Sequence, residues 1–251
     1  MKSRVYVGTP EGPVAIERIM REAAPNSAMC IGRSTREATA SAGYEAFVKQ
    51  PSGVIERELG PFPPGAFRLD VAADIGDGVS WQLGVFVAHA LAAAGRLAEY
   101  HEDADAALWL TGEVANDLEV RPVGHLADKL HAARAELAAL AAGGSPVTLI
   151  VPAANQDQLE QAELAPETAW VAVSRIDQAL KAAGLPGLAS PSGGARETGV
   201  AFAPSPGAGA GGRGWIAAVA VFAIITAVTA YPVFVWLFDP ELIADVASPS
   251  P

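Results

Sequence analysis

The chain has 251 residues, of which 17 are lysine or arginine and 28 are aspartate or glutamate, so its formal net charge is −11. This length is enough for one sizeable globular domain with a core of its own. The negative charge argues against a broad basic surface for nucleic acid. The single cysteine, Cys30, excludes an internal disulfide and any metal site built from several cysteines.

Residues 1–66 form an N-terminal segment with a weak pattern. Short apolar stretches alternate with turn-forming residues, and the pattern predicts only one element, a helix over residues 40–49. No long apolar run follows the first basic residues, so we expect no secretory signal peptide. We expect this segment to belong to the same domain as residues 67–185.

Residues 67–185 show a clearer alternation of strand and helix patterns. The residues 116–117, Asn-Asp, have turn chemistry and predict a hairpin-like connection. The alternation favours an α/β (α+β) domain over a helical bundle. Strands are predicted at residues 67–71, 106–110, 118–123, 147–151 and 170–173, and helices at residues 81–98, 126–140, 155–164 and 176–183.

A linker of residues 186–214 follows this domain. Of the 28 residues from 186 to 213, 21 are glycine, alanine, serine or proline, a composition typical of a flexible tether. Its glycine-rich run is not closed by Gly-Lys-Ser/Thr, and the chain carries no other phosphate-binding loop. We therefore expect no cofactor, and we expect any use of ATP to depend on a partner.

Residues 215–238 contain no charged side chain. As a helix they would extend over roughly 36 Å, more than the ~30 Å hydrocarbon core of a bilayer. A buried core helix is the alternative, but such helices are seldom apolar on all sides over this length. We predict one transmembrane helix and a short tail, residues 239–251. Because Arg213 precedes the span and no basic residue follows it, the N-terminal domain is predicted in the cytosol and the tail outside.

Three residues of the central domain have the types needed for nucleophilic catalysis: Ser80, Thr111 and Lys129. A serine hydroxyl needs a base, and a lysine serves as that base only when its pKa falls toward 7–8. Lys129 lies near a predicted helix N-terminus and beside apolar residues, and both features would lower its pKa. Considered alone, a lysine in the first helical turn is more often simply solvated.

Five short motifs over residues 67–183 together resemble, in their order, the proteolytic domain of Lon proteases. The resemblance implies that Ser80 is the nucleophile and Lys129 the general base, that Thr111 orients the lysine, and that Asp77 lies in a loop modulating the site. It also implies a peptidase fold in which the nucleophile begins a helix. The motifs are DGVS at 77–80, LTGEV at 110–114, VRPVG at 120–124, LADKLHAA at 126–133 and IVPAAN at 150–155.

The chain departs from the family pattern directly after the nucleophile. Trp81 and Gln82 stand where the family has two small residues, and we assign both to the oxyanion and substrate pocket. The apolar face of the predicted helix is set by residues such as Leu83 and Val87, so position 81 falls on the other side. We therefore favour a Trp81 that points into the cleft and narrows it. The alternative is an indole that points into the core and leaves its backbone N–H free to help bind the oxyanion.

The sequence thus predicts a membrane-tethered, Lon-like serine endopeptidase that hydrolyses peptide bonds with a Ser80–Lys129 dyad. The alternative is a catalytically impaired Lon-fold module, anchored to the membrane for interaction or assembly. A membrane-anchored structural domain is a third interpretation. The expected partners are a protein or peptide substrate, the lipid bilayer, and either further copies of the chain or a separate ATPase. None of the four histidines has metal-pair spacing, so no metal site is predicted.

Overall fold

A mixed seven-stranded sheet organises the N-terminal part of the protein. The computed structural model describes residues 1–49, 51, 53–162, 164 and 168–188. A separate two-stranded sheet pairs Glu113–Val114 with Val120–Arg121. The strands are β1 Ser3–Thr9, β2 Gly12–Glu22, β3 Ala28–Ile31, β4 Ala66–Val71, β5 Ala106–Leu110, β6 Glu113–Val114, β7 Val120–Arg121, β8 Val147–Pro152 and β9 Ala169–Val173.

Helices cover both faces of the large sheet and divide its apolar side chains into two cores. The helices are α1 Ser41–Val48, α2 Val54–Leu59, α3 Gln82–Ala93, α4 Leu126–Ala142, α5 Gln156–Glu160 and α6 Ile176–Ala182, and a 3-10 turn spans Ala153–Asn155. Alternate residues of a strand face opposite sides. Leu108 of β5 therefore belongs to the core that contains buried residues of α1, α2, α3 and α6, whereas Trp109 belongs to the core that contains those of α4 and α5.

The strand order, β3-β4-β2-β1-β5-β8-β9, places several carboxyl ends at one edge of the sheet. β1, β5, β8 and β9 pair in parallel, and β4 runs the same way because β2 is antiparallel to both β1 and β4. The loops after β1, β4, β5 and β8 therefore begin at the same edge. In open α/β sheets this is the edge where binding sites form.

Residues 1–66 contribute three strands, β1, β2 and β3, that the sequence pattern does not predict. Within residues 67–185 the predicted strands and helices are present with different bounds. The strand predicted at 118–123 is short and pairs with β6 instead of β5, because residues 115–119 close a hairpin. The helix predicted at 155–164 is only α5, after the 3-10 turn.

The linker beyond residue 188, the predicted transmembrane segment 215–238 and the tail 239–251 lie outside the described residues. Within the described ranges, no helix has the length and apolar character to cross a bilayer.

Candidate active site

The carboxyl-end edge of the sheet holds the residues that the motifs single out. Ser80 ends the loop that leaves β4 and lies two positions before the first residue of α3. Thr111 follows β5 directly, and Lys129 is the fourth residue of α4. Because α3 and α4 lie on opposite faces of the sheet, the serine and the lysine meet beyond the end of β5.

The contact predicted between these residues is present. Lys129 Nζ donates a hydrogen bond to Ser80 Oγ at 2.7 Å and another to Thr111 Oγ1 at 3.0 Å. Lys129 is 4% exposed and Thr111 is fully buried, whereas Ser80 is partly exposed. The hydroxyl of Ser80 is thus accessible from solvent, while the amine behind it is shielded.

Gly112 joins the nucleophile to the segment that orients the base. Its N–H donates to the carbonyl of Ser80 at 2.8 Å, and its carbonyl accepts from Leu83 N–H at 3.0 Å. A Cβ at position 112 would lie 2.9 Å from Leu83 Cδ2 and 3.1 Å from Val120 Cγ1. A larger residue at position 112 would force Leu83 and Val120 to shift, so glycine suits this close approach.

Burial lowers the pKa of Lys129 to about 8, and the nearby carboxylate of Glu11 opposes this shift. A pKa of about 8 leaves about a tenth of the side chain neutral at pH 7. A neutral amine can keep donating to Thr111 while it accepts the hydroxyl proton of Ser80. The site therefore contains the group that serine activation needs.

A cleft of about 510 Å³ opens onto Ser80 and Lys129. Its walls are the β1–β2 turn, the loop 75–80 and the segment 122–125. Asp77 lies on this wall, and no hydrogen bond or ion pair among the described residues uses its side chain. A larger cavity, about 750 Å³ between α4 and α5, contains neither Ser80 nor Lys129 in its lining.

The expected orientation of Trp81 is wrong. The indole is 2% exposed and meets the ring of Phe47 on α1 edge-on, with 5.5 Å between ring centroids. The helical-wheel angle does not decide the orientation because all residues from Leu83 to Leu91 are buried, so the side of α3 opposite Leu83 and Val87 also faces the core. The indole therefore fills the core between α1 and α3, and the small residue Gly43 faces it.

Gln82 also lies outside the cleft lining. Its Oε1 accepts a hydrogen bond from Val114 N–H at 2.9 Å, so the side chain ties the start of α3 to β6. Among the described residues, no group accepts a hydrogen bond from the backbone N–H of Ser80 or of Trp81. Both N–H groups are therefore available to bind a ligand. These two N–H groups are the donors nearest to the serine in the chain.

Glu11 and Asn155 belong to the site although the sequence analysis did not single them out as functional. Glu11 reaches the cleft from the β1–β2 turn. The sequence signal near it is the turn-forming run Thr-Pro-Glu-Gly at residues 9–12, which indicates a turn but not the segment that the turn approaches. Asn155 is 3% exposed and binds the backbone of Val123. No local pattern indicates that contact.

His89 is fully buried, which the sequence pattern did not indicate. Its Nε2 lies 2.9 Å from Tyr44 Oη, and burial lowers its pKa to about 3, so the ring is neutral. Among the described residues, no group of three or more His, Cys, Asp or Glu side chains is placed to hold a metal ion.

No protein-family model matches the sequence, and no curated protein is significantly similar to it. The function must therefore be inferred from the geometry of the cleft and from the order of the short motifs.

Proposed function

We propose that the protein is a Lon-like serine endopeptidase that hydrolyses peptide bonds in protein or peptide substrates. Ser80 is the nucleophile, Lys129 the general base, and Thr111 the residue that orients the lysine. One observation carries the proposal: a buried lysine with a lowered pKa lies 2.7 Å from the hydroxyl of an accessible serine. The ordered motifs that resemble the Lon proteolytic domain supply the reaction class.

In the acylation step, neutral Lys129 takes the hydroxyl proton while Ser80 Oγ attacks the carbonyl carbon of the scissile bond. The carbonyl π electrons move to oxygen and give a tetrahedral oxyanion. Lys129, now an ammonium group, gives the proton to the leaving amine nitrogen as the C–N bond breaks. The products of this step are a free amine and an ester on Ser80.

In the deacylation step, water enters the cleft and neutral Lys129 removes its proton as the oxygen attacks the ester carbon. The C–Oγ bond then breaks, and the proton returns to Ser80 through the lysine. Thr111 holds Nζ in place through both steps. The N–H groups of Ser80 and Trp81 are suited to bind the oxyanion, since donors of this kind stabilise developing charge.

The impaired-module alternative rested on Trp81 and Gln82 obstructing the pocket. Both side chains point away from the cleft lining, so this steric reason no longer favours it. The open cleft and the Ser80–Lys129 contact favour the enzyme. No ATP-binding motif is present in the sequence, so any ATP dependence would come from a separate partner.

A fluorophosphonate probe and a fluorogenic peptide library test the proposal on the full chain in detergent micelles. We expect labelling and hydrolysis by the native sequence, and loss of both in Ser80→Ala and in Lys129→Ala. Ser145→Ala and Lys181→Ala are matched controls because neither residue lies in the cleft lining. A native chain that folds but neither labels nor cleaves any peptide in the library would contradict the enzyme and favour the module.

We also propose that residues 215–238 tether this domain to a membrane, with the catalytic domain in the cytosol. The support is the uncharged composition of the segment and Arg213 before it. The full chain should sediment with membranes after alkaline extraction, and a tag after Pro251 should be cleaved by protease added outside intact cells. A protected tag would reverse the orientation, and an alkali-soluble chain would contradict the tether.

A further inference from the structure

Asn155 holds one residue of the cleft wall by both of its backbone groups. Its Oδ1 accepts a hydrogen bond from Val123 N–H at 2.9 Å, and its Nδ2 donates one to the carbonyl of Val123 at 3.0 Å. The two bonds fix which end of the amide is oxygen, because only that orientation satisfies both backbone groups. The side chain thus contacts Val123 as a neighbouring strand would.

Val123 lies directly before the helix that carries the base. Only Gly124 and His125 separate it from α4, and His125 adopts a left-handed conformation with φ of 57°. The side chain of His125 makes no cap hydrogen bond to the helix. The backbone carbonyl of His125 accepts a hydrogen bond from Lys129 N–H at 3.0 Å, so the position of this turn sets the position of Lys129.

The anchor of this contact is the end of β8, a central strand of the large sheet. Asn155 ends the 3-10 turn that follows β8 and is itself buried. A rigid strand therefore holds the start of α4 through one amide. The hairpin β6–β7 also holds the segment that leads to α4, through the pairing of Val114 with Val120.

We propose that Asn155 is a positioning residue for the Ser80–Lys129 pair: its buried amide holds Val123 and so fixes the start of α4. This inference rests on the proposed peptidase function for its consequence in catalysis. Asn155 is absent from the lining of the cleft and acts through the backbone of Val123.

The expected consequence is a change in the environment of the lysine. Without the amide, the start of α4 is free to shift, water reaches Nζ, and the pKa of Lys129 rises from about 8 toward its ordinary value, because burial is what lowers it. The titratable groups that line the cleft together with Lys129 are Glu11 of the β1–β2 turn, Asp77 of the nucleophile loop, Glu113 of β6 and His125 before α4. Glu11, Asp77 and Glu113 lie on segments to which Asn155 makes no hydrogen bond, so the substitution does not act on them directly.

The test measures Lys129 directly, by NMR of the full chain in micelles with carbon-13 at the lysine ε positions. The chain has four lysines, and the Lys129 signal is the one lost in Lys129→Arg. In Asn155→Ala we expect the titration midpoint to rise by about half a unit to one unit. The pH midpoint of fluorophosphonate labelling at Ser80 should move in the same direction.

Gln158→Ala is the matched control. Gln158 accepts a hydrogen bond of 3.4 Å from Asn155 Nδ2, so its loss disturbs Asn155 but leaves the two bonds to Val123 intact. We expect an unchanged Lys129 midpoint in this variant. If Asn155→Ala does not fold, Asn155→Ser is measured in its place, with the same direction expected.

A folded Asn155→Ala chain with an unchanged Lys129 midpoint would overturn the proposal. If both the alanine and the serine variants lose the folded sheet by circular dichroism, Asn155 is needed for folding and the positioning role is also overturned. A midpoint that shifts as expected, in a chain whose native form neither labels nor cleaves peptides, would uphold the positioning and reject the peptidase.

Discussion

The helix that follows the nucleophile and the helix that carries the base are held in place by different means. α3 has 12 residues, and nine of them, from Leu83 to Leu91, are buried in the larger core. α4 has 17 residues, of which five are buried, and Lys129 is one of these five. The apolar packing of α3 therefore positions the nucleophile. Contacts at the start of α4, which is largely exposed, position the base.

The two helices lie on opposite faces of the sheet and are connected by hydrogen bonds of the two residues that follow β5. Thr111 binds the lysine through its hydroxyl, and Gly112 binds the backbone at Ser80 and Leu83. Because the two helices are held differently, substitutions near each helix should have different effects. Changes near α3 should affect the stability of the fold, whereas changes near α4 should affect the ionisation of Lys129.

Lys129→Met should have the largest effect, and it should change activity and stability in opposite directions. In Lys129→Met we expect peptide hydrolysis to fall about 10²–10⁴-fold, since the general base is lost. The free energy of unfolding at pH 7 should rise by up to about 3 kcal/mol, because a folded-state pKa lowered from 10.5 to about 8 means that the lysine opposes folding below pH 8. Urea denaturation at pH 7 measures this change.

The pH dependence of the free energy of unfolding gives this prediction a second test. The unfolded chain binds more protons than the folded one between pH 8 and pH 10.5, so the lysine's destabilising effect should disappear as the pH rises through this window. The gain in Lys129→Met should therefore vanish near pH 10.5. Lys181→Met, at an exposed position, is the control and should leave stability unchanged at both pH values.

Gly112→Ala tests the bridge between the two helices. The new Cβ would press on Leu83 and Val120 from 2.9–3.1 Å, and overpacking of this kind costs about 1–3 kcal/mol. We expect a lower free energy of unfolding and slower labelling of Ser80. Gly78→Ala is the control for stability alone, because a Cβ there meets no atom within 4 Å but Gly78 lies in the cleft lining. Equal stability of the two variants would show that Gly112 is not tightly packed.

The active-site contact was predictable because its three residues lie in short motifs whose order along the chain can be compared with a known family. The strands after residue 66 other than β6 were also predictable, since their apolar runs are bounded by clear turns. β6 has only two residues and gives no such run. β1 and β2 were not, because Gly8, Pro10, Gly12 and Pro13 interrupt the apolar pattern where the hairpin turns. The strands on both sides of that turn are nevertheless central in the sheet.

Two errors and one omission have a common physical cause. The side chains of Trp81 and Gln82 were expected in the pocket because they follow the nucleophile in sequence, but Trp81 packs on α1 and Gln82 binds β6. The part of the assignment that concerns the oxyanion stays a prediction. The contact of Asn155 with Val123 joins segments that are 32 residues apart. Each depends on which distant segment lies alongside, and sequence periodicity carries no information about that.

Thr111→Val should produce a moderate effect that sharpens the contrast between the helices. Valine has a similar shape but cannot accept the hydrogen bond from Nζ, and one such bond is worth about 1 kcal/mol. We expect kcat/KM at pH 8 to fall about five- to tenfold, because Nζ is then less well aligned with Ser80. Thr111→Ser retains the hydroxyl and should recover most of the activity. A serine variant as impaired as the valine variant would contradict the orienting role.

The smallest expected effect is at Glu11, whose negative charge stabilises the ammonium form of Lys129 and so raises its pKa. Glu11→Gln removes that charge and should lower the pKa, so more of the lysine is neutral at a given pH. The rising limb of the pH profile of Ser80 labelling should therefore move to lower pH by a few tenths of a unit, and the rate at pH 7 should rise by up to about twofold. Asp128→Asn is the control: Asp128 is adjacent to Lys129 in α4 but is exposed and lies outside the cleft lining, so its removal should not move the profile. Equal shifts in both variants would mean that Lys129 responds to the overall charge of the domain and not to the carboxylate of the β1–β2 turn.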